Sequence, residues 1–173
     1  MVICDCGARV PCEVGPQHAY MTAQPACWRA YGELLARLSL TGLQAPLHMD
    51  AFAAQHPGNA AEERRQRGSV AVHLVILCAH FEHGVHPDDL LRLRSTVSQT
   101  LLPRLGFQDW PALPPPAAWG ELNAPALANI PGEFLVEKTD EWARQVWDAW
   151  AKLEPPVRHW TQTLLKAQQG RDD

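Results

Sequence analysis

The chain has no hydrophobic run long enough to cross a bilayer. Its longest, Val70 to Ala79, is interrupted by His73 and stops far short of about 20 residues. It also lacks a basic start followed by a long apolar stretch, because Met1, Val2 and Ile3 lead directly into Cys4, so no secretory signal and a cytoplasmic location are expected. A dense positive stripe is missing too. The formal net charge is -4, and the one basic run, Arg64, Arg65 and Arg67, follows Glu62 and Glu63, which reads as a solvated loop and excludes nucleic acid as an expected partner. No internal repeat, low-complexity tail or catalytic motif is present, so no substrate follows from the sequence. The five cysteines are an odd number, and in a reducing compartment they read as metal ligands or free thiols rather than a disulfide framework.

What remains is an ordinary globular composition: 173 residues, 46% of them hydrophobic and 20% charged, suit one core. Residues 1–27 are expected to form a small cysteine-containing knuckle packed on a helical domain over 28–173. The fold class is all-α, a bundle of five to six helices with a proline-rich connection. After Cys27, Trp28, Tyr31, Leu34, Leu35 and Leu38 recur at helical spacing, with Arg29, Glu33 and Arg37 opposite. A second helix covers Leu47 to Gln55 and stops before Pro57 and Gly58; a third, capped by Ser69, runs to about His83 and is apolar on nearly every side. Its β-branched residues would also suit a buried strand, but about 14 residues favours a helix. Pro87, Asp88 and Asp89 open a fourth. The prolines between Gly106 and Gly132 predict an extended connection crossing the bundle through Trp110 and Trp119, followed by a fifth helix over Glu133 to Leu153 and a short sixth over Val157 to Leu165.

Two groups of residues carry metal chemistry. Cys4, Cys6, Cys12, His18 and Cys27 lie among turn-forming Gly7, Pro11, Gly15 and Pro16, and a tetrahedral zinc needs four such ligands; the bland alternative is a set of ordinary reduced thiols. The second group is His48, Asp50, His56, His73, His80 and His83. On one helix His48 and His56 would stand roughly 12 Å apart along the axis, too far to chelate one ion directly. His56, beside Pro57, is placed where the chain turns, and His73 would face His48 and Asp50 across a helix pair, with Asp50 as ligand or as orienting partner. The alternative is a core histidine bonded to Asp50 or Gln55. Trp142, Trp147, Trp150 and Trp160 offer either a ligand pocket or plain core.

In order along the chain, C-G-A at Cys6, H-x-Y at His18, C-W at Cys27, H-x-D-A-F-A-A-Q-H-P-G at His48, S-V-A-V-H-L at Ser69 and W-A-x-x-V-W-x-A-W at Trp142 resemble a bacterial family of uncharacterised proteins, domain of unknown function 5946. The resemblance implies a knuckle usually written C-x-x-C-G-A, from which Cys4 is displaced by one residue. It implies Cys4, Cys6, His18 and Cys27 as a zinc set with Cys12 spare, and it singles out His48, Asp50, His56 and His73. Two functions are open at this stage. One is a metal-dependent hydrolase or transferase with zinc or another divalent transition metal among His48, His56 and His73 and Asp50 as base. The other is a non-enzymatic, zinc-stabilised protein-interaction module; metal storage or sensing is a third outcome. A small molecule or a protein is the expected partner, and no membrane.

Overall fold

Several helices in this chain begin at proline, whose missing N–H costs nothing in a first turn, and two end at a glycine with positive φ. Pro25 opens α1 (Pro25–Thr41), Pro87 opens α4 (Pro87–Leu105) and Pro155 opens α7 (Pro155–Asp172). Gly84, at φ 66°, ends α3 (Arg64–His83), and Gly106, at φ 68°, ends α4. Between them lie the short α2 (His48–Gln55), the four-residue α5 (Ala124–Leu127), a 3₁₀ turn over Gly132–Phe134 and α6 (Leu135–Ala151). A two-stranded antiparallel hairpin precedes them all, β1 (Val2–Ile3) against β2 (Arg9–Val10), with Val2 opposite Val10. The computed structural model describes residues 1–41, 45–152 and 155–172.

The expected helical bundle is the fold, and its centre is set by hydrophobicity on all sides. α3 buries Val70, Ala71 and every residue from Leu74 to Ala79, and packs on α2, α4, α6 and α7. α2 is wedged between α3 and α6 and is buried from Asp50 through Gln55. The tryptophans of α6 are core rather than pocket: Trp142, Trp147 and Trp150 are buried. Two of the indoles are satisfied from α2, Trp142 Nε1 donating to Gln55 Oε1 at 3.0 Å and Trp150 Nε1 to the Ala54 carbonyl at 3.1 Å. No helix among the described residues is long and apolar enough to cross a membrane.

Three expectations need correction. The basic run is helical, since α3 starts at Arg64 with Glu63 at its cap rather than Ser69. Arg67 is held by the Ala61 carbonyl at 2.8 Å and by Asp109 at 3.0 Å, and Gln66 Oε1 accepts the Asn59 amide at 2.7 Å, so tertiary partners extend the helix past Gly68. The proline-rich connection contains α5, capped by Asn123 Oδ1 on the Ala126 amide at 3.0 Å and anchored by Arg37 of α1 on the carbonyls of Leu127 and Ala128 at 3.1 and 2.8 Å. The last helix reaches Asp172, well beyond Leu165. Leu153, the expected end of the fifth helix, lies outside the described residues. Trp110 and Trp119 do tie the connection down, Trp110 against Trp160 at 5.1 Å between ring centroids and Trp119 Nε1 on the Asp5 carbonyl at 2.7 Å.

Candidate metal centre

The hairpin turns on Gly7, whose φ of 81° is a left-handed conformation that suits glycine. Its amide donates to the Cys4 carbonyl at 2.8 Å and the Cys4 amide to the Ala8 carbonyl at 2.9 Å, which folds Cys4 and Cys6 to the same inner side. Cys27 comes from the first turn of α1 and His56 from the residue that caps the C-terminus of α2. The four donor atoms all lie within 4.8 Å of one another, and all four residues are buried. Cys6 Sγ stands 3.7 Å from Cys27 Sγ, and Cys27 Sγ 3.4 Å from His56 Nε2. With metal–sulfur bonds of about 2.3 Å and metal–nitrogen bonds of about 2.05 Å, a tetrahedron has S···S edges of about 3.8 Å and S···N edges of about 3.5 Å. This group can therefore hold a metal ion.

Surrounding groups orient the donors. His56 Nδ1 bonds the Phe52 carbonyl at 2.7 Å, which puts the ring proton on Nδ1 and leaves the Nε2 lone pair facing the three sulfurs. The Gln24 amide donates to Cys4 Sγ at 3.3 Å. Asp5, between the two knuckle cysteines, accepts from the Thr22 hydroxyl and, at 3.1 Å, from the Gly58 amide. One carboxylate thus ties the knuckle to the turn that carries His56. Without an ion the cluster is a contest for protons. Hydrogen bonds from Cys27 and Cys6 draw the Cys4 thiol far below its ordinary value, while hydrogen bonding to Cys4 and Cys6, together with burial, pushes Cys27 far above it. Burial pulls His56 down, but its bonds to Cys4 and Cys6 and their charge outweigh this and push it up to about 10. A divalent cation favours deprotonated sulfur throughout and removes the conflict. Replacement of Asp5 by alanine is expected to leave the one-ion capacity intact and weaken affinity by about 10- to 100-fold, read by competition with a chromogenic chelator.

The sequence-derived candidates divide in a specific way. Cys4, Cys6 and Cys27 come together, and the fourth donor beside them is His56, not His18. Cys27 and Trp28 are consecutive on a helix and point about 100° apart, so Cys27 faces the knuckle while Trp28 faces away. His18 lies on the Trp28 side, its ring 5.1 Å from the indole and its Nδ1 accepting the Tyr20 amide at 3.3 Å. Cys12 is exposed. His48, His56 and His73 are not gathered around one point, and among the described residues no second group of three or more such ligands is found. Each ring is turned to its own partner instead: His48 Nδ1 to the Tyr31 hydroxyl at 2.7 Å, His73 Nδ1 to Asp50 Oδ1 at 2.7 Å. Asp50 is buried and also receives Arg94 Nε at 3.0 Å and its Nη2, so it is a paired carboxylate rather than a free base. His80 Nδ1 bonds the Val85 carbonyl at 2.9 Å. The sequence signal for His56 was its place before Pro57 and Gly58, where the helix must end; nothing in the spacing said that the knuckle would meet it there.

His48 and His73 do share a second feature, a cleft of about 840 Å³ between α1, α2, α3 and α4. Burial lowers the His48 pKa from the ordinary 6.5, against an opposing pull from Asp50. Because the folded value is depressed, this group's stabilisation is present above about pH 6.5 and is lost as the pH falls from there through the folded pKa, where the unfolded chain takes up the proton first. Urea denaturation at pH 7.5 and 5.5 is expected to show a smaller acid loss in His48→Gln than in the parent chain. A groove of about 670 Å³ separates the outer side of the knuckle from the proline-rich connection, although Cys4 and Cys6 beneath it are only 2% and 1% exposed.

A family model described as a family of unknown function, domain of unknown function 5946, matches residues 1–151. That span holds all four clustered donors and every element through α6. No curated protein and no solved structure matches the chain.

Proposed function

The chain belongs to the family of domain of unknown function 5946, and since that family brings no reaction with it, we propose from the geometry that this is a zinc-stabilised binding domain whose ion is structural. The observation that carries the reading is the donor set: three thiols and one imidazole, all buried and all within 4.8 Å of one another, with the Cys6–Cys27 and Cys27–His56 separations at the edge lengths of a tetrahedron. Four protein ligands close the coordination, whereas a hydrolytic zinc keeps a position for water. Sulfur-rich tetrahedral donors favour zinc over magnesium or calcium, which take oxygen. The hydrolase reading required His48, His56 and His73 around one ion, and their separate partners argue against it. The binding surface in this reading is the cleft lined by His48 and His73, on the side of α1 that Trp28 faces.

Elemental analysis of protein purified without a metal-affinity column tests it. One equivalent of zinc is expected, lost in Cys6→Ala and retained in the His48→Ala/His73→Ala double variant. Cobalt substitution should give the intense visible bands of a tetrahedral thiolate site. Two equivalents, or an ion lost with the two histidines and kept without Cys6, would restore the enzymatic reading.

A further inference from the structure

We propose that the cleft between α1, α2, α3 and α4 binds a small aromatic acid, a flat ring system with an anionic group at the mouth and a ring hydroxyl inside. The inference rests on reading the domain as a binding module, and it is independent of which ion sits in the knuckle. A volume of about 840 Å³ is in the range of small-molecule sites. Its walls are aromatic faces: Tyr31 stacks on Phe52 at 4.1 Å between centroids, Trp28 lies 5.6 Å from Phe52, and Trp110 closes the side toward α4. Such faces suit a flat ring.

The polar groups are few and are held from behind. The His73 Nδ1–H is spent on Asp50, whose charge is already met by Arg94, so its Nε2 is an acceptor. The buried Tyr31 hydroxyl and His48 Nδ1 share one hydrogen at 2.7 Å, which leaves the His48 Nε2 to meet a ligand. Neither Nε2 has a protein partner among the described residues, and both rings line the cleft. Two unpaired imidazole nitrogens in an apolar site match a hydroxyl, which can donate to one and pair with the other in either role, and leaving them unmatched is costly when an apolar ligand excludes water.

Charge at the mouth has the opposite character. Arg64 and Arg67 both reach Asp109, at 3.4 and 3.0 Å, but Arg65 is exposed, lines the cleft and has no ion-pair partner among the described residues. It stands in the first turn of the 20-residue α3, so its charge adds to the positive end of that helix. An anion at the rim with its ring inside satisfies both ends of the cleft.

The probe is 6-hydroxy-2-naphthoate, followed by its own fluorescence and by quenching of tryptophan, with 2-naphthoate and 2-naphthol as the two deletions of its polar groups. Saturable 1:1 binding is expected, weaker for each deletion. Arg65→Ala should weaken the hydroxynaphthoate about fivefold, as an exposed charge pair allows, and leave 2-naphthol unchanged. His73→Phe should abolish the preference for the hydroxyl. Gly68→Leu should block all three probes; it sits inside α3, where an added Cβ meets Trp110 Cδ1 at 3.6 Å, an ordinary contact, so a side chain can start there without a backbone clash, and circular dichroism of the variant checks that the fold is kept. Absence of saturable binding to the parent protein, equal affinity for the three probes, or full binding in Gly68→Leu would overturn the proposal. Metal content is measured on the same samples, so loss of probe binding with one ion retained overturns this inference alone, and absence of metal overturns only the zinc reading.

Discussion

Cys27→Ala is expected to abolish metal binding and to cost the domain about 5 kcal/mol or more. Structural zinc sites contribute on the order of 10 kcal/mol of apparent binding energy at neutral pH, and that energy exists only in the folded state. Cys27 is a donor and also part of the core between α1 and the knuckle. Cys78 supplies the control, because it too is buried and free but stands outside the donor cluster. Cys78→Ala should cost only about 1–2 kcal/mol, the price of a small cavity. Urea denaturation at several free zinc concentrations separates the two. The parent protein and Cys78→Ala should gain stability with the logarithm of free zinc, while Cys27→Ala should not respond. A parent protein equally indifferent to zinc would remove the case for a metal.

The second large effect is expected at Asp50. Its carboxylate is wholly buried, accepts two hydrogen bonds from Arg94 and one from His73, and joins α2 to both α4 and α3. Asp50→Ala leaves the Arg94 guanidinium, itself mostly buried, without its counter-charge, and removal of one partner from such a pair costs about 3–5 kcal/mol. Asp50→Ala/Arg94→Leu should recover most of that loss, since both charges then leave the interior together. Thermal and urea denaturation of the two singles and the double give the coupling directly. Additive losses would mean that the pair is not what binds α2 to α4.

The helical bundle was legible because its signals are local. Apolar residues at three- and four-residue spacing, Pro87 with Asp88 and Asp89 at a helix start and Pro57 with Gly58 after a helix end need no knowledge of the rest of the chain. Start positions that depend on distant partners were not legible. α3 begins at Arg64 because Arg67 finds Asp109, 42 residues on, and α5 exists because Asn123 and Arg37 satisfy its ends. The candidate site divides along the same line. Cys4, Cys6 and Cys27 stood out by residue type, but the fourth donor required knowing which side of α1 meets the knuckle. His18 is closer in sequence and His56 is closer in space, because His18 packs on Trp28, about 100° around α1 from Cys27. His48, Asp50 and His73 were expected to face one another across a helix pair around one ion; His73 does meet Asp50 there, but Arg94 of α4 takes the same carboxylate and His48 turns to Tyr31, contacts that no spacing within α2 and α3 could reveal.

The donors of the metal group come from a hairpin, from α1 and from the end of α2, so the ligand positions 4, 6, 27 and 56 close loops of 21 residues (Cys6 to Cys27) and 29 residues (Cys27 to His56). Asp5 adds closures of its own to Thr22 and Gly58, and Trp119 reaches back 114 positions to the Asp5 carbonyl. A site assembled from contacts so far apart is expected to form after the bundle that aligns them, because each closure costs entropy before any bond repays it. An ion bound there would be held behind the same contacts, so its departure would require the hairpin or the end of α2 to swing out, and its lifetime would follow the opening rate of the fold rather than the strength of four bonds.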